Sequence, residues 1–416
     1  MAVSSCSWRS PSSPPSTRSE VSNTARRVAI VSVALLLGTI VAAIGVEIWV
    51  RLTWDVRRGT PGFYVPDAVR GQRLAENYDG WFAGVPVHIN RLGLRDPREY
   101  DLAKKANTFR ILVLGDSVTF GHGSVYEHTY PFLVEQELRA WRPDIDWQVW
   151  NAAVPGYNTS QELAQLLDVG PRFKPDLVVV GVYENDLSGN SPAKTPTRVK
   201  RLTTAAARLA RQRLWSLEFY RRVYYTAAWR FTSPNLYRRR LDTLARDEAA
   251  EPHDASRLAA QQLSPFDRLS DEEVANTRCI DGSREPPDLR DQMSRDPGFG
   301  PWASAVRELQ MLARTQTYRV VFFVNVVPRK CYDGDFFYDG ATRVTNDFLL
   351  AILGDGAFAV SCHDAFLHVR PSQMPNADGH AIGNSNKLKA DVLFEYLKDR
   401  VLPDALSETP RARAVS

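Results

Sequence analysis

The chain has 416 residues, of which 44% are hydrophobic and 10% aromatic, a composition that suits a globular protein with a sizeable core and excludes a disordered or low-complexity one. That length leaves room for one large catalytic domain with appendages. A formal net charge of +4, from 52 basic and 48 acidic residues, is spread too thinly over so large a surface to imply a nucleic-acid partner.

Residues 1–27 are Ser/Pro-rich and expected to form a disordered cytoplasmic tail, and Cys6 lacks the preceding apolar run of a lipoprotein signal. From Val28 to Val46 the chain is uncharged and rich in Val, Ala, Ile and Leu. As a helix this run would rise about 29 Å, close to the roughly 30 Å hydrocarbon core of a bilayer. Residues 28–50 are therefore expected to be a single-pass transmembrane anchor. Arg26 and Arg27 before it favour a cytoplasmic N-terminus, although Arg51, Arg57 and Arg58 on the far side weaken the asymmetry. The run exceeds the usual signal core of about 7–15 residues and no small-x-small site follows it, so an uncleaved anchor with an extracytoplasmic body is expected over a cleaved signal peptide.

Residues 51–108 read as an irregular, packed connector, because Pro61, Pro66, Pro86 and Pro97 interrupt any helical period. At Phe109 the texture changes. FRILVLG, WQVWNAA, DLVVVGVY, YRVVFFVNVVP and FAVSCHDAF look like short buried strands, with helical patterns such as TSQELAQLL and WASAVRELQMLARTQ between them. This alternation predicts an α/β domain over 109–402, a three-layer doubly wound parallel sheet with its ligand crevice beyond the carboxyl ends of the strands.

A stretch from 187 to 300 is too long for a plain connection and is expected to be a largely helical insertion. Its first half interleaves arginines, including the run Arg238-Arg239-Arg240, with aromatics such as Trp215, Tyr220 and Tyr224. Such helices can lie on anionic lipid, bind an anionic polymer, or cover the core with their aromatics while the arginines face water. Residues 403–416 are expected to be a disordered tail. Cys279, Cys331 and Cys362 show no metal or redox spacing, so no metal or cofactor is expected; one disulfide among them or buried free thiols are both compatible with the sequence.

At the end of the first apolar strand stands Gly115-Asp116-Ser117-Val118-Thr119-Phe120-Gly121, where Ser117 could be a nucleophile beside helix N-terminal amides, or simply an N-cap. Neither G-x-G-x-x-G nor a Walker lysine accompanies it. After the second strand Gly156 would let a backbone N–H approach a substrate, and after the third Asn185 could aim a side-chain amide at the same point. Three donors converging from three strand ends are what an oxyanion hole requires. The base that Ser117 needs is assigned to His380, with Asp378 as its orienting partner, and His363 beside Asp364 is the competitor. His88, His122, His128 and His253 have no suitable setting in the sequence.

These blocks together resemble the SGNH/GDSL hydrolase superfamily, in its bacterial membrane-anchored form. Gly115-Asp116-Ser117 matches the nucleophile block, Gly156 the second, Asn185 the third, and Asp378 with His380 the last; Asn90-x-x-Gly93-x-Arg95-Asp96 resembles the connector of anchored members. Two departures stand out. Tyr183 occupies the usual glycine position of the third block, and the last block is Asp-x-His rather than Asp-x-x-His, a form that resembles polysaccharide O-acetylation proteins. The resemblance implies a serine hydrolase acting through an acyl-enzyme on an acyl ester, in particular an O-acetyl group on a cell-envelope glycan. An O-acyltransferase for an exported polysaccharide and a non-catalytic glycan-binding module are the rival readings.

Overall fold

The computed structural model describes residues 17–56, 59–190, 196–232, 263–275, 288–327, 340–377 and 379–413, and falls into an N-terminal unit ending at Trp54 and a main unit from Asp55. The first unit is a helix, α1 (Thr17–Thr53), whose stretch Ala25–Thr53 is long and apolar enough to cross a bilayer. Residues 17–27, expected to be disordered, are helical: the apolar run supplies a long nucleus, and extending a helix costs far less than starting one. An N-terminal helix of this kind serves either as a retained anchor or as a signal sequence.

The main unit opens with two antiparallel hairpins instead of an irregular connector: β1 (Tyr64–Asp67) with β2 (Gly71–Leu74), and β3 (Tyr78–Phe82) with β4 (Val85–Ile89). The prolines that argued against regular structure sit inside these strands, Pro66 opposite Gln72 and Pro86 opposite Trp81. A two-stranded ribbon leaves one edge of each strand unladdered, so the missing proline N–H costs nothing there. Ala83 and Gly84, at φ 54° and 75°, make the left-handed two-residue turn that hairpins favour. The hairpins and the residue before them bury Phe63, Val65, Val85, Val87 and Ile89 against Phe120, Ala153 and Val154 of the α/β part that follows.

The five apolar runs form one parallel sheet. Its strands are β5 (Thr108–Leu114), β6 (Asp146–Asn151), β7 (Leu177–Val182), β8 (Arg319–Val324) and β9 (Phe358–Ser361), in the spatial order β6-β5-β7-β8-β9. Every residue of β5 and β7 is buried, because helices cover both faces. Between the strands run a single turn, α2 (Ser117–Phe120), then α3 (Tyr130–Trp141), α4 (Thr159–Phe173), α5 (Arg198–Arg213), α6 (Trp215–Thr232), α7 (Asp271–Ala275), α8 (Leu289–Arg295), α9 (Phe299–Thr315) and α10 (Gly340–Leu353). After β9 come α11 (His363–Leu367), a minimal hairpin of β10 (Asn376–Ala377) and β11 (His380–Ala381), α12 (Asn384–Tyr396) and α13 (Leu402–Arg413). Ile111 and Val113 point to one layer with α3 and α12, and Leu112 and Leu114 to the other with α4, α9 and α10, the alternation that a strand's period of two dictates.

The expected disordered tail from residue 403 is instead the body of α13, held by Leu402 and Ala405 buried in the first of these layers. Of the insertion, α5 buries no residue, and the Arg238-Arg239-Arg240 run lies outside the described residues. Cys362 is a buried free thiol, its pKa pushed up to about 12 by burial, whereas Cys6, Cys279 and Cys331 lie outside the described residues.

Candidate active site

In a sheet of order β6-β5-β7-β8-β9 the chain reverses its direction of winding between β5 and β7, which opens a crevice at their carboxyl ends. Ser117 stands there. The turn that carries it is held by Thr119, whose hydroxyl accepts hydrogen bonds from Tyr130 Oη at 3.1 Å and Asn325 Nδ2 at 3.3 Å. Thr119 fits only because two neighbours are glycine. A Cβ on Gly115 would lie 2.3 Å from Thr119 Oγ1, and one on Gly181 2.1 Å. Asp116 caps the turn, accepting from the Val118 N–H at 2.8 Å, and Gly121 ends it in the left-handed region at φ 85°.

His380 reaches Ser117 from the β10–β11 hairpin, a short two-stranded turn where the sequence suggested an irregular loop, and its Nε2 lies 2.8 Å from Ser117 Oγ. Asp378, named as the orienting partner, lies outside the described residues. The competing His363 contacts its own neighbour Asp364, with Nδ1 3.3 Å from Oδ1.

Asn185 is exposed on the turn after β7 and its amide donates to Asp116 Oδ2 at 3.0 Å. Asp116 thus ties the third block to the turn that carries Ser117. Burial raises the pKa of its carboxyl, opposed by the hydrogen bonds from Asn185 and Val118 and by the nearby His380. Gly156 occupies the adjoining turn at φ 82°, in a segment fastened to the Ser117 turn by the Val154 N–H donating to Gly115 O at 2.9 Å. Behind these turns Glu162 and Asp186 are fully buried, and burial holds both carboxyls well above the usual carboxylate range, reinforced by the charges of Asp186 and Asp116 on Glu162 and of Asp116 on Asp186.

Two residues of the site were not found from the sequence. His122 stacks on His380 with ring centroids 4.1 Å apart, and Phe82 of the second hairpin meets His122 edge-on at 5.2 Å. Arg95 is buried with its guanidinium donating to the carbonyls of Phe120 at 2.5 Å and Gly121 at 2.7 Å, and to that of Ser124, so it clasps the loop that carries His122. The Asn90-x-x-Gly93-x-Arg95-Asp96 spacing was the only signal for Arg95; for His122 there was none beyond its closeness to Ser117 in the sequence.

Residues 113–275 match the model of the GDSL-like Lipase/Acylhydrolase family. Over this stretch the chain is similar to GDSL-like lipases and acylhydrolases. That GDSL match takes in Ser117, Gly156 and Asn185 and stops before His380. Similar solved structures include an acetylxylan esterase from Geobacillus stearothermophilus, with 11% identity, 70% of this chain and 94% of that chain covered, and a TM-score of 0.36. An α/β hydrolase from the metagenome of Lake Arreo, Spain, matches at 13% identity, 69% and 94% coverage and a TM-score of 0.35. A psychrotrophic esterase from Pseudoalteromonas sp. matches at 12% identity, 70% and 97% coverage and a TM-score of 0.32. No curated protein matches the chain.

Proposed function

We propose that the chain is a GDSL-like esterase that removes a short acyl group, in particular O-acetyl, from a cell-envelope carbohydrate outside the cytoplasm, held at the membrane by α1. The observation that carries the catalytic part is the 2.8 Å contact between Ser117 Oγ and His380 Nε2 at the sheet's switch point. Ser117 attacks the ester carbonyl and passes its proton to His380 Nε2, with Asp378 holding the imidazole and stabilising its charge. The tetrahedral oxyanion is bound by the N–H groups of Ser117 and Gly156 and the amide of Asn185. Its collapse breaks the ester C–O bond as His380 protonates the leaving alcohol, leaving an acyl-enzyme. Water, deprotonated by His380, then releases the acid and restores Ser117.

A short acyl group is favoured by the buried cluster of Val118, Tyr183 and Val327, which places a phenol ring beside the nucleophile turn where the family usually has glycine. The apolar span of α1 favours the location. Asn185→Ala removes one oxyanion donor and the hydrogen bond to Asp116, and is expected to lower kcat about 100- to 1,000-fold with a smaller change in KM.

Hydrolysis of p-nitrophenyl acetate by the full chain in detergent, beside a folded Ser117→Ala variant, tests the reading. Turnover that vanishes in the variant supports it, and equal background rates in both refute it. Acetyl transfer that requires an acceptor sugar would reassign the same residues to an acyltransferase.

A further inference from the structure

Helix α5 is turned the opposite way from an ordinary surface helix. At ~100° per residue, Val199, Leu202 and Leu209 share one stripe while Thr204, Arg208 and Arg211 lie opposite. The polar side faces the protein: Arg208 Nε donates to Pro66 O of the first hairpin at 3.4 Å, and the Arg211 carbonyl would sit 3.5 Å from a Cβ on Gly62. The apolar stripe faces outward, with Val199 71%, Leu202 65% and Leu209 59% exposed. The next helix continues the theme, for Tyr220, Val223 and Phe231 share a stripe on α6 and are 52%, 50% and 80% exposed. Covering the core therefore does not account for α5.

Exposed apolar residues in such an array mark a partner, and the charges around them say which. Residues 198–232 hold nine Lys and Arg against a single acid, Glu218, which is already engaged by Arg221 at 2.5 Å and Arg222 at 3.3 Å. A second copy of the chain would bring like charge onto like charge. An anionic polymer would satisfy the arginines and leave the apolar stripes in water. We propose that α5 and α6 lie on an anionic lipid surface, their stripes in the acyl boundary and their flanking arginines against headgroup phosphates. The proposal rests on the reading of α1 as an anchor only for proximity: α1 ends at Thr53 and the main unit begins at Asp55.

The test is hydrogen–deuterium exchange on the full chain, reconstituted through α1 into nanodiscs of phosphatidylcholine alone or with about one third phosphatidylglycerol. Amides of residues 198–232 are expected to exchange at least ~5-fold more slowly in the anionic discs. Leu202→Ser/Leu209→Ser and Arg198→Glu/Arg201→Glu double variants are each expected to abolish that difference while hydrolysing p-nitrophenyl acetate in detergent at the parent rate. Equal exchange of the parent in the two kinds of disc overturns the proposal, whether the helices are protected in both or in neither. Retention of α1 is read separately from the mass of the mature chain in cells, where its loss would refute the anchor and leave the lipid contact standing.

Discussion

The imidazole of His122 lies nearly parallel to that of His380, with ring centroids 4.1 Å apart and planes inclined by 22°. His122, braced by Phe82, supplies a wall against rotation of the His380 ring, which is carried by a hairpin with a two-residue ladder. His122→Ala is expected to lower kcat about tenfold with little change in KM, the pattern of a positioning residue. His122→Phe restores the stacked ring and should recover most of that rate in steady-state kinetics. A phenylalanine variant as slow as the alanine one would mean that the imidazole acts through its nitrogens.

Arg95 joins the first part of the main unit to the nucleophile loop. Its guanidinium serves three carbonyls, those of Phe120, Gly121 and Ser124, with no exposure to water that could replace it. Arg95→Met is expected to cost about 3 kcal/mol of stability, because buried acceptors left without donors forfeit their full desolvation. Arg95→Lys keeps the charge but not the planar fork, and should fall between the two. Urea midpoints and kcat measured on the same samples check both effects, and kcat should fall with the loop's order even where the protein remains folded.

Tyr183 packs against Val118 and Val327 beside the nucleophile turn. Tyr183→Ala is expected to raise kcat/KM for p-nitrophenyl butyrate relative to the acetate by about tenfold, since one or two methylenes accommodated in an apolar pocket are worth roughly 1–3 kcal/mol. An unchanged ratio would remove Tyr183 from the acyl subsite.

Lys389 sits fully buried on α12 with no acceptor for its amine among the described residues, and burial lowers its pKa from 10.5 to about 8. A lysine with a lowered folded pKa is protonated in the unfolded chain before it is protonated in the fold. Stability therefore rises with pH between about 8 and 10.5, and below about 8 the full penalty is present. Lys389→Met, close in volume, should be the more stable protein by about 3 kcal/mol near neutral pH. The gain should shrink as pH rises from about 8 to 10.5, as thermal melts across pH would show.

The sheet was legible in the sequence because both its faces are covered. Runs such as Ile111-Leu112-Val113-Leu114 are apolar without alternation only where helices lie on either side. The turn that carries Ser117 was legible for a related reason, since the glycines that admit Thr119 are also the punctuation that marks a strand end. His380 was found by its block, and its contact with Ser117 follows from the hairpin fold. The two N-terminal hairpins were hidden by Pro66 and Pro86, which read as breakers until the strands are seen to be isolated ribbons. The His122–His380 stack joins loops more than 250 residues apart, and no local pattern encodes it. Asn185 was expected as an oxyanion donor alone; that its amide also holds Asp116 depends on the side-by-side placement of β5 and β7.

Whether Ser117 is the nucleophile is read by covalent labelling of the full chain with a fluorophosphonate, followed by peptide mapping by mass spectrometry. One stoichiometric adduct is expected on the peptide bearing Ser117, formed at a rate that drops at least ~100-fold in His380→Ala. No adduct, an adduct on another serine, or labelling of Ser117 at an unchanged rate without His380 would contradict that role.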